Sequence, residues 1–471
     1  MPSHFVNIDR ATPMLLPPDI RDWIPQNHIA HFILEAVEVI PESAGHINWR
    51  GSGSEQYPPR MMLGVLIYSY VTGRFSSREI ERATYSDVAM RFLSADTHPD
   101  HDTICTFRRQ NEALFKSAFV SVLETAGEMG HLKKVGNVSL DGTKVMANAS
   151  KHSAVSYGHA GRSVAELELE VGELIKKAER ADRAPLDDGL DIPAEIERRQ
   201  KRLEALHKAR AVIEERARER AAKERPEYER KVQAREARKA AGRRVGRTPK
   251  PPQETPVPKD QYNFTDPESR IMKAGTGGHF EQTYNAQSVV DAEGSMLILG
   301  TYVCDAPNDK EQLVPGVRSV EPAIRQVEAV LVDNGFYSEE AVARIEQPRG
   351  DGCPAPVVYA ALKRQSHHRT LEELAGRPEP EPLAEGAGIK ERMEHRFATA
   401  AGRELYKLRK QTVEPVFGII KEVMGFRRFS LRGKAKANLE WLLVSASYNV
   451  KRLHRMVQNA LIAVPMAAQA A

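Results

Sequence analysis

Three carboxylates and one cationic run carry the chemistry that this sequence offers. Asp141 follows Val135–Leu140 and precedes Gly142, and Asp333 closes the apolar run Val327–Val332 ahead of Asn334 and Gly335. Glu414 lies in Gln411–Gly433, which reads QTVEPVFGIIKEVMGFRRFSLRG. There Val413, Val416, Phe417 and Ile420 recur at helical spacing and predict a core-facing stripe. Glu414 sits beside that stripe, and Lys421, two turns on, shares nearly the same face. Pro415 fits such a helix only near its start. Arg427, Arg428, Arg432 and Lys434 follow. A carboxylate and a lysine on one helix face, followed by cations, suit a site that handles a polyanion. The alternative is a surface helix with a solvated Glu and Lys.

Positioning such groups needs a layered scaffold. Val135–Leu140 predicts a strand ending at Asp141. Tyr284–Asp291 and Ser295–Val303 predict a hairpin across a Glu-Gly turn. Lys310–Gln326 reads as a helix, Val327–Val332 as a buried strand ending at Asp333, Ser338–Ile345 as a helix and Pro356–Ala360 as a strand. Residues 361–400 read as polar and irregular. The helix of Glu414 is expected to begin near Arg403, and Asn438–Met456 to form a last helix with a basic end. The fold class is therefore α/β with a mixed sheet. In a ribonuclease-H-like sheet the first and fourth strands are neighbours, so Asp141 and Asp333 would meet and a late helix would bring Glu414 over them. Three converging carboxylates are costly without a cation. Two magnesium (or manganese) ions would resolve that cost and suit an in-line phosphoryl displacement.

The rest of the chain frames this core. Residues 1–130 read as a helical, DNA-binding N-terminal domain. It comprises Asn27–Ile40, an apolar helix opened by Pro58-Pro59, a capping-box start at Ser76–Glu79, and a long helix Thr103–Gly130 capped by Asp102. Arg78, Arg82, Arg91, Arg108 and Arg109 suit a helix-turn-helix-like DNA reader, the alternative being a packing or dimerisation domain. The core occupies 131–150 and 266–433. Residues 151–265 form a charged helical-hairpin insertion and linker, with Val164, Leu167, Val171, Leu174 and Ala178 facing Ile196, Leu203, Leu206 and Ile213. Residues 434–471 form a C-terminal basic helix and tail.

At 471 residues and 41% hydrophobic content, two or three globular domains are expected. The net charge of +4 hides two patches: 18 Lys+Arg against 8 Asp+Glu over 201–250, and 8 against 1 over 427–455. Three scattered cysteines, Cys105, Cys304 and Cys353, predict a reducing, cytoplasmic compartment and no structural zinc. No leader pattern, membrane-length apolar run or phosphate loop stands out, so neither membrane nor ATP is indicated. His367-His368 reads as a loop pair rather than a metal site. Asp291, Asp305 and Asp309 are read as turn or cap residues, and Asn148 as a local hydrogen-bonding group.

As a set, SLDGTKVMANAS (139–150), DPESRIMK (266–273), YNAQSVVD (284–291), VDNGFYS (332–338) and VEPVFGIIK…GFRRFSLRG (413–433) resemble the motifs of bacterial insertion-sequence transposases of the DDE class. YPPRMMLGVLIY and HPDHDTICTFRR resemble the branch with a helical N-terminal domain. The resemblance implies metal-dependent DNA cleavage and strand transfer by Asp141, Asp333 and Glu414. It implies double-stranded DNA, both element ends and target, as partner, a dimer or larger assembly, and nucleoid association. It also implies DNA contacts from Tyr406, from Arg409 or Lys410, and from Lys421, joined by Arg427, Arg428 and Arg432. The alternatives are a nuclease without strand transfer and an inactive, DNA-binding relative.

Overall fold

The computed structural model describes residues 19–47, 55–181, 191–274, 279–348, 354–362, 379–384 and 386–469. The chain packs as two compact units, Met1–Val145 with Asn285–Ala471, and Met146–Tyr284.

Among its described residues, the first unit opens with six α-helices: α1 (Ile29–Glu38), α2 (Pro59–Val71), α3 (Ser77–Ser86), α4 (Val88–Leu93), α5 (His101–Gln110) and α6 (Glu112–Glu128). Pro59 starts α2, where its missing N–H costs nothing. From Met62 to Val71 every α2 residue is buried, so this helix is the centre of the helical region. Three local expectations fail. The stretch expected as one helix from Thr103 to Gly130 is two, α5 and α6, split at Asn111. The cap of α5 is Asp100, whose carboxylate accepts from the Thr103 N–H, rather than Asp102. Ser76 does precede α3, but its side chain makes no cap bond.

The mixed sheet is built on β1 (Val135–Met146). Later come β5 (His279–Asp291), β6 (Ile298–Cys304), β7 (Gln326–Val332) and β8 (Val357–Ala360). Their order is β5-β1-β7-β8, with β6 beside β5. β5 and β6 are antiparallel, while β1, β7 and β8 run parallel. Strand β1 outruns the expected end at Asp141, because its partner on the other side continues. Its parallel pairing with β7 nonetheless stops at Ser139↔Leu331.

Between β6 and β7, the expected helix Lys310–Gln326 shrinks to α7 (Leu313–Arg318). Pro322 explains the loss, since it disfavours helical geometry at Glu321. Next come α8 (Glu339–Ile345), after Ser338, and α9 (Ile389–Ala398), which lies in the stretch read as irregular. α9 escaped notice because Met393 is its only buried residue; the Glu391 side chain closes its start by accepting from the Gly388 N–H. α10 (Ala400–Gly418) carries Glu414 and runs into one π-helical turn, Ile419–Val423. Pro415 is inside α10, not near its start. It offers no N–H to the Gln411 carbonyl. The wide turn follows directly, with the Met424 N–H reaching the Ile419 carbonyl. The last helix, α11 (Lys434–Gln469), is longer than expected at both ends and packs on α2, α6 and β6.

The second unit holds β2 (Ala154–Ser156) paired with β3 (Gln261–Asn263), β4 (Arg270–Ala274) against the start of β5, and two long helices, α12 (Tyr157–Ala181) and α13 (Ile192–Ala240). The two helices pack against each other. Val155, Ala160, Val164, Leu206, Ala209, Ile213 and Tyr262 make its core, flanked by Leu167 and Leu203.

Candidate active site

The placement of Asp141 follows from strand register. Val138 pairs with Val330 and Ser139 with Leu331. Continued two residues past this last pair, the register brings Asp141, in the middle of β1, level with Asp333, which follows the carboxyl end of β7. Backbone amides hold both: Gly142 N–H donates to Asp141 Oδ1 at 2.8 Å, and Gly335 N–H to Asp333 Oδ1 at 2.7 Å. Burial pushes the Asp141 carboxyl up to about 7, and the negative Asp333 and Asp309 push the same way, against the Gly142 N–H and Arg409.

Asp309 is the residue the sequence reading undervalued. Its Oδ1 accepts from Asn285 Nδ2 at 2.7 Å and Gln287 Nε2 at 2.6 Å. Both amides come from one face of β5 and are fully buried, and their oxygens have no partner. Gly142 lies against this cluster. A Cβ there would fall 2.3 Å from Gln287 Nε2, 2.7 Å from Asp309 Oδ1 and 2.8 Å from Asn285 Oδ1. Its only sign in the sequence is weak: two amides two residues apart within the run Tyr284–Val290, whose other residues are apolar or small apart from Tyr284.

Helix α10 supplies the opposite wall. Tyr406 donates to the Val332 carbonyl at 3.0 Å, tying the helix to the strand end before Asp333. Burial raises the Tyr406 phenol, so it stays a neutral donor. One turn on, Arg409 is largely buried and reaches both carboxylates, with Nη1 3.5 Å from Asp141 Oδ2 and Nη2 3.5 Å from Glu414 Oε1. Lys410 is exposed, so Arg409 is the member of this pair that faces the carboxylates. Glu414 itself is exposed.

Lys421, beyond Pro415 and within the π turn, is half-buried. Its Nζ donates to Thr143 Oγ1 at 2.5 Å and to the Lys144 carbonyl at 2.9 Å. Burial and then Arg427 lower its proton affinity. It therefore grips β1 just past Asp141. Arg427, Arg428 and Arg432 are exposed on the following turn. A buried carboxylate missed in the sequence holds that turn. Glu440 Oε2 accepts from the Ser430 and Leu431 N–H groups at 2.8 and 3.0 Å, and its Oε1 accepts from Tyr70 at 2.9 Å. Arg108, expected to face DNA, is buried instead and donates to Tyr70 Oη and to the Phe75 carbonyl. The signal for Glu440 was a lone acid in the apolar stretch around Trp441.

Among the described residues, no three His, Cys, Asp or Glu side chains stand close enough to hold one metal ion. Arg409 occupies the space between Asp141 and Glu414. The donors are nevertheless the right kind: carboxylate oxygens suit magnesium, and burial first, with Asp333 and Asp309 adding to it, raises the Asp141 proton affinity despite Arg409. Asp291 is bound to Arg325 and Ser295 in a buried cluster. Asp305 pairs with Lys434. His367-His368 lies outside the described residues.

Two family models match the chain: a Transposase DDE domain over residues 382–454, and a Transposase domain (DUF772) over residues 18–110. Together the two matches indicate an insertion-sequence transposase of the DDE class. No curated protein and no solved structure matches it. The first match takes in Tyr406, Arg409, Glu414, Lys421 and the basic turn of the transposase, and the second takes in α1 to α5. Asp141 and Asp333 lie in neither stretch. Membership implies a DNA substrate and, for this class generally, a divalent metal. Among the described residues of the transposase, no helix is long and apolar enough to cross a membrane.

Proposed function

We propose that this protein cleaves DNA at the ends of its insertion sequence and transfers the strands by in-line phosphoryl displacement, with Asp141, Asp333 and Glu414 as metal-holding residues. The observation that supports this reading is the pairing of β1 with β7 up to two residues before Asp141 and Asp333, with Arg409 of the helix that bears Glu414 reaching both Asp141 and Glu414. The strand order also supports a ribonuclease-H-like core, with the β5–β6 hairpin on one side of β1 and the parallel β7 and β8 on the other.

Divalent ions, magnesium or manganese and two in number, would polarise the attacked phosphate and lower the pKa of the attacking hydroxyl when bound. The chain's own residues do the rest. Arg409 holds Asp141 and Glu414 in the ion's absence, limiting their repulsion. Tyr406 fixes the helix against the Asp333 strand end. Exposed Lys410, Arg427, Arg428 and Arg432 offer cations to the phosphate backbone, and Arg409, Tyr406 and Lys421 border the scissile position. Two element ends must be held together, so the working unit is a dimer or larger.

The test is a strand-transfer assay on DNA bearing the element's own ends with magnesium. Wild type should join ends to target, while Asp141→Asn, Asp333→Asn and Glu414→Gln should bind ends within a few-fold and cut none. Cleavage without joining would make the protein a nuclease. End binding with no cleavage by wild type would make it an inactive relative.

A further inference from the structure

Helix α13 poses a separate question. Its buried residues follow helical spacing, Leu206, Ala209, Ile213, Ala217 and Ala221, and then stop. The helix continues to Ala240, and 19 residues at 1.5 Å each carry it roughly 28 Å beyond its last buried side chain. Nothing apolar is gained by that length. What it displays is charge. Residues 230–250 hold nine Lys+Arg, namely Arg230, Lys231, Arg235, Arg238, Lys239, Arg243, Arg244, Arg247 and Lys250, against Glu236 alone.

The charges are also sorted by face. Lys231, Arg235, Arg238 and Lys239 are spaced i, i+4, i+7, i+8 and form one stripe, in which Lys231 pairs with Glu227 and Arg235 donates to the Gly246 carbonyl. Glu229 and Glu236 lie seven residues apart on another side of the helix. A merely solubilising helix mixes its signs, as this one does nearer its base, where Arg218 pairs with Glu215 and Arg198 with Glu195. Toward the tip, Arg238, Lys239, Arg243, Arg244, Arg247 and Lys250 are exposed, and no ion pair engages them among the described residues. Clustered like charges repel one another, so such a stripe is retained at a cost that a polyanion removes.

We propose that the distal end of α13 and the segment to Lys250 form a second DNA-binding site, which grips the phosphate backbone of duplex DNA without reading its sequence. The stripe from Lys231 to Lys239 spans about 12 Å, enough for three or four phosphates along one strand. Neither family match reaches this part of the chain. The proposal stands apart from the catalytic reading, since it involves neither metal nor cleavage.

The experiment uses the full chain with EDTA present and a random-sequence duplex of about 40 base pairs. Wild type is compared with a variant carrying Arg238→Gln, Lys239→Gln, Arg243→Gln and Arg244→Gln. Glutamine keeps helix propensity, and none of these positions packs. Binding is measured across a salt series. Four lost phosphate contacts should lower the slope of log affinity against log salt by about 3 to 4, and affinity at 0.1 M salt by at least about 100-fold. A companion variant carrying Arg238→Lys, Arg243→Lys and Arg244→Lys should bind as wild type does. A slope unchanged within half a unit would overturn the site. So would unchanged DNA binding with lost binding to poly-glutamate, which would mark a dock for an acidic protein. Cleavage of element ends by wild type is scored separately, so failure here leaves the catalytic reading untouched.

Discussion

Replacing Asp141 by asparagine should stabilise the metal-free protein, and should do so more as pH rises. In the fold this carboxyl is raised from 3.8 to about 7. A folded-state pKa above the unfolded one means that the native state holds the proton more tightly. The group then imposes no penalty below about pH 4. The penalty grows through the interval from 4 to 7 and is complete above 7. The full shift corresponds to ~4 kcal/mol at ~1.4 kcal/mol per unit. The side chain is 20% exposed, which brings the figure to about 2–3 kcal/mol once solvent screening is allowed for. Asparagine keeps an acceptor for the Gly142 N–H and carries no charge. Between pH 5 and pH 8 in EDTA, the stability of Asp141→Asn relative to wild type should therefore climb by about 2 kcal/mol, read from urea unfolding of the unit that contains the sheet. Magnesium should then stabilise wild type at pH 8, by binding the native state only, and leave the variant unmoved. A difference that stays constant with pH would show that the Asp141 charge is not penalised by burial and its acidic neighbours, and the electrostatic argument for a cation would fall with it.

Gly142→Ala should destabilise the same unit by about 1–3 kcal/mol, since its Cβ would collide with two buried amides and a carboxylate; thermal melts check it. Asp309→Ala should cost about 2 kcal/mol through two lost hydrogen bonds, while Asp309→Asn, which keeps one accepting oxygen, should recover much of that and of end cleavage. Equal damage from both would show that the charge of Asp309, not its acceptor, matters. Lys421→Ala should slow cleavage and lower the melting point with less than one unit of change in the salt slope of end binding, because its bonds go to β1. A full unit lost would return Lys421 to a phosphate.

The sequence made the sheet legible where short apolar runs ended in turn residues. The strand before Asp333, the hairpin and β8 all follow that rule. The insertion hairpin was legible because its seam has no competing signal. Other features depend on partners that a linear reading does not supply. The end of β1 is set by pairing rather than by its own residues, so Asp141 reads as a strand end yet sits mid-strand. α9 carries too little apolar periodicity to declare itself, and Pro322 truncates a helix that propensity alone extends. Between Arg409 and Lys410, only the packing of α10 on β7 decides which cation turns inward. Asn285, Gln287 and Asp309 look like ordinary solvent-facing residues until the fold brings β5 and the segment of Asp309 around Gly142.

The clasp at Glu440 bears on how the protein can be dissected. This one carboxylate binds two amides of the basic turn and the hydroxyl of α2's Tyr70, with Arg108 of α5 behind it. Tyr70, Phe75, Phe426 and Trp441 pack around it. The first helices are thus not a detachable reading head on a flexible leash. Cutting the chain near residue 130 would strip a buried acid of its hydroxyl donor and leave a sheath of aromatic rings in water, so a truncated catalytic fragment is a poor vehicle for biochemistry. The same brace fixes the distance from α2 and α5 to the basic turn, so any DNA that touched both surfaces would meet them as one rigid template, at one spacing.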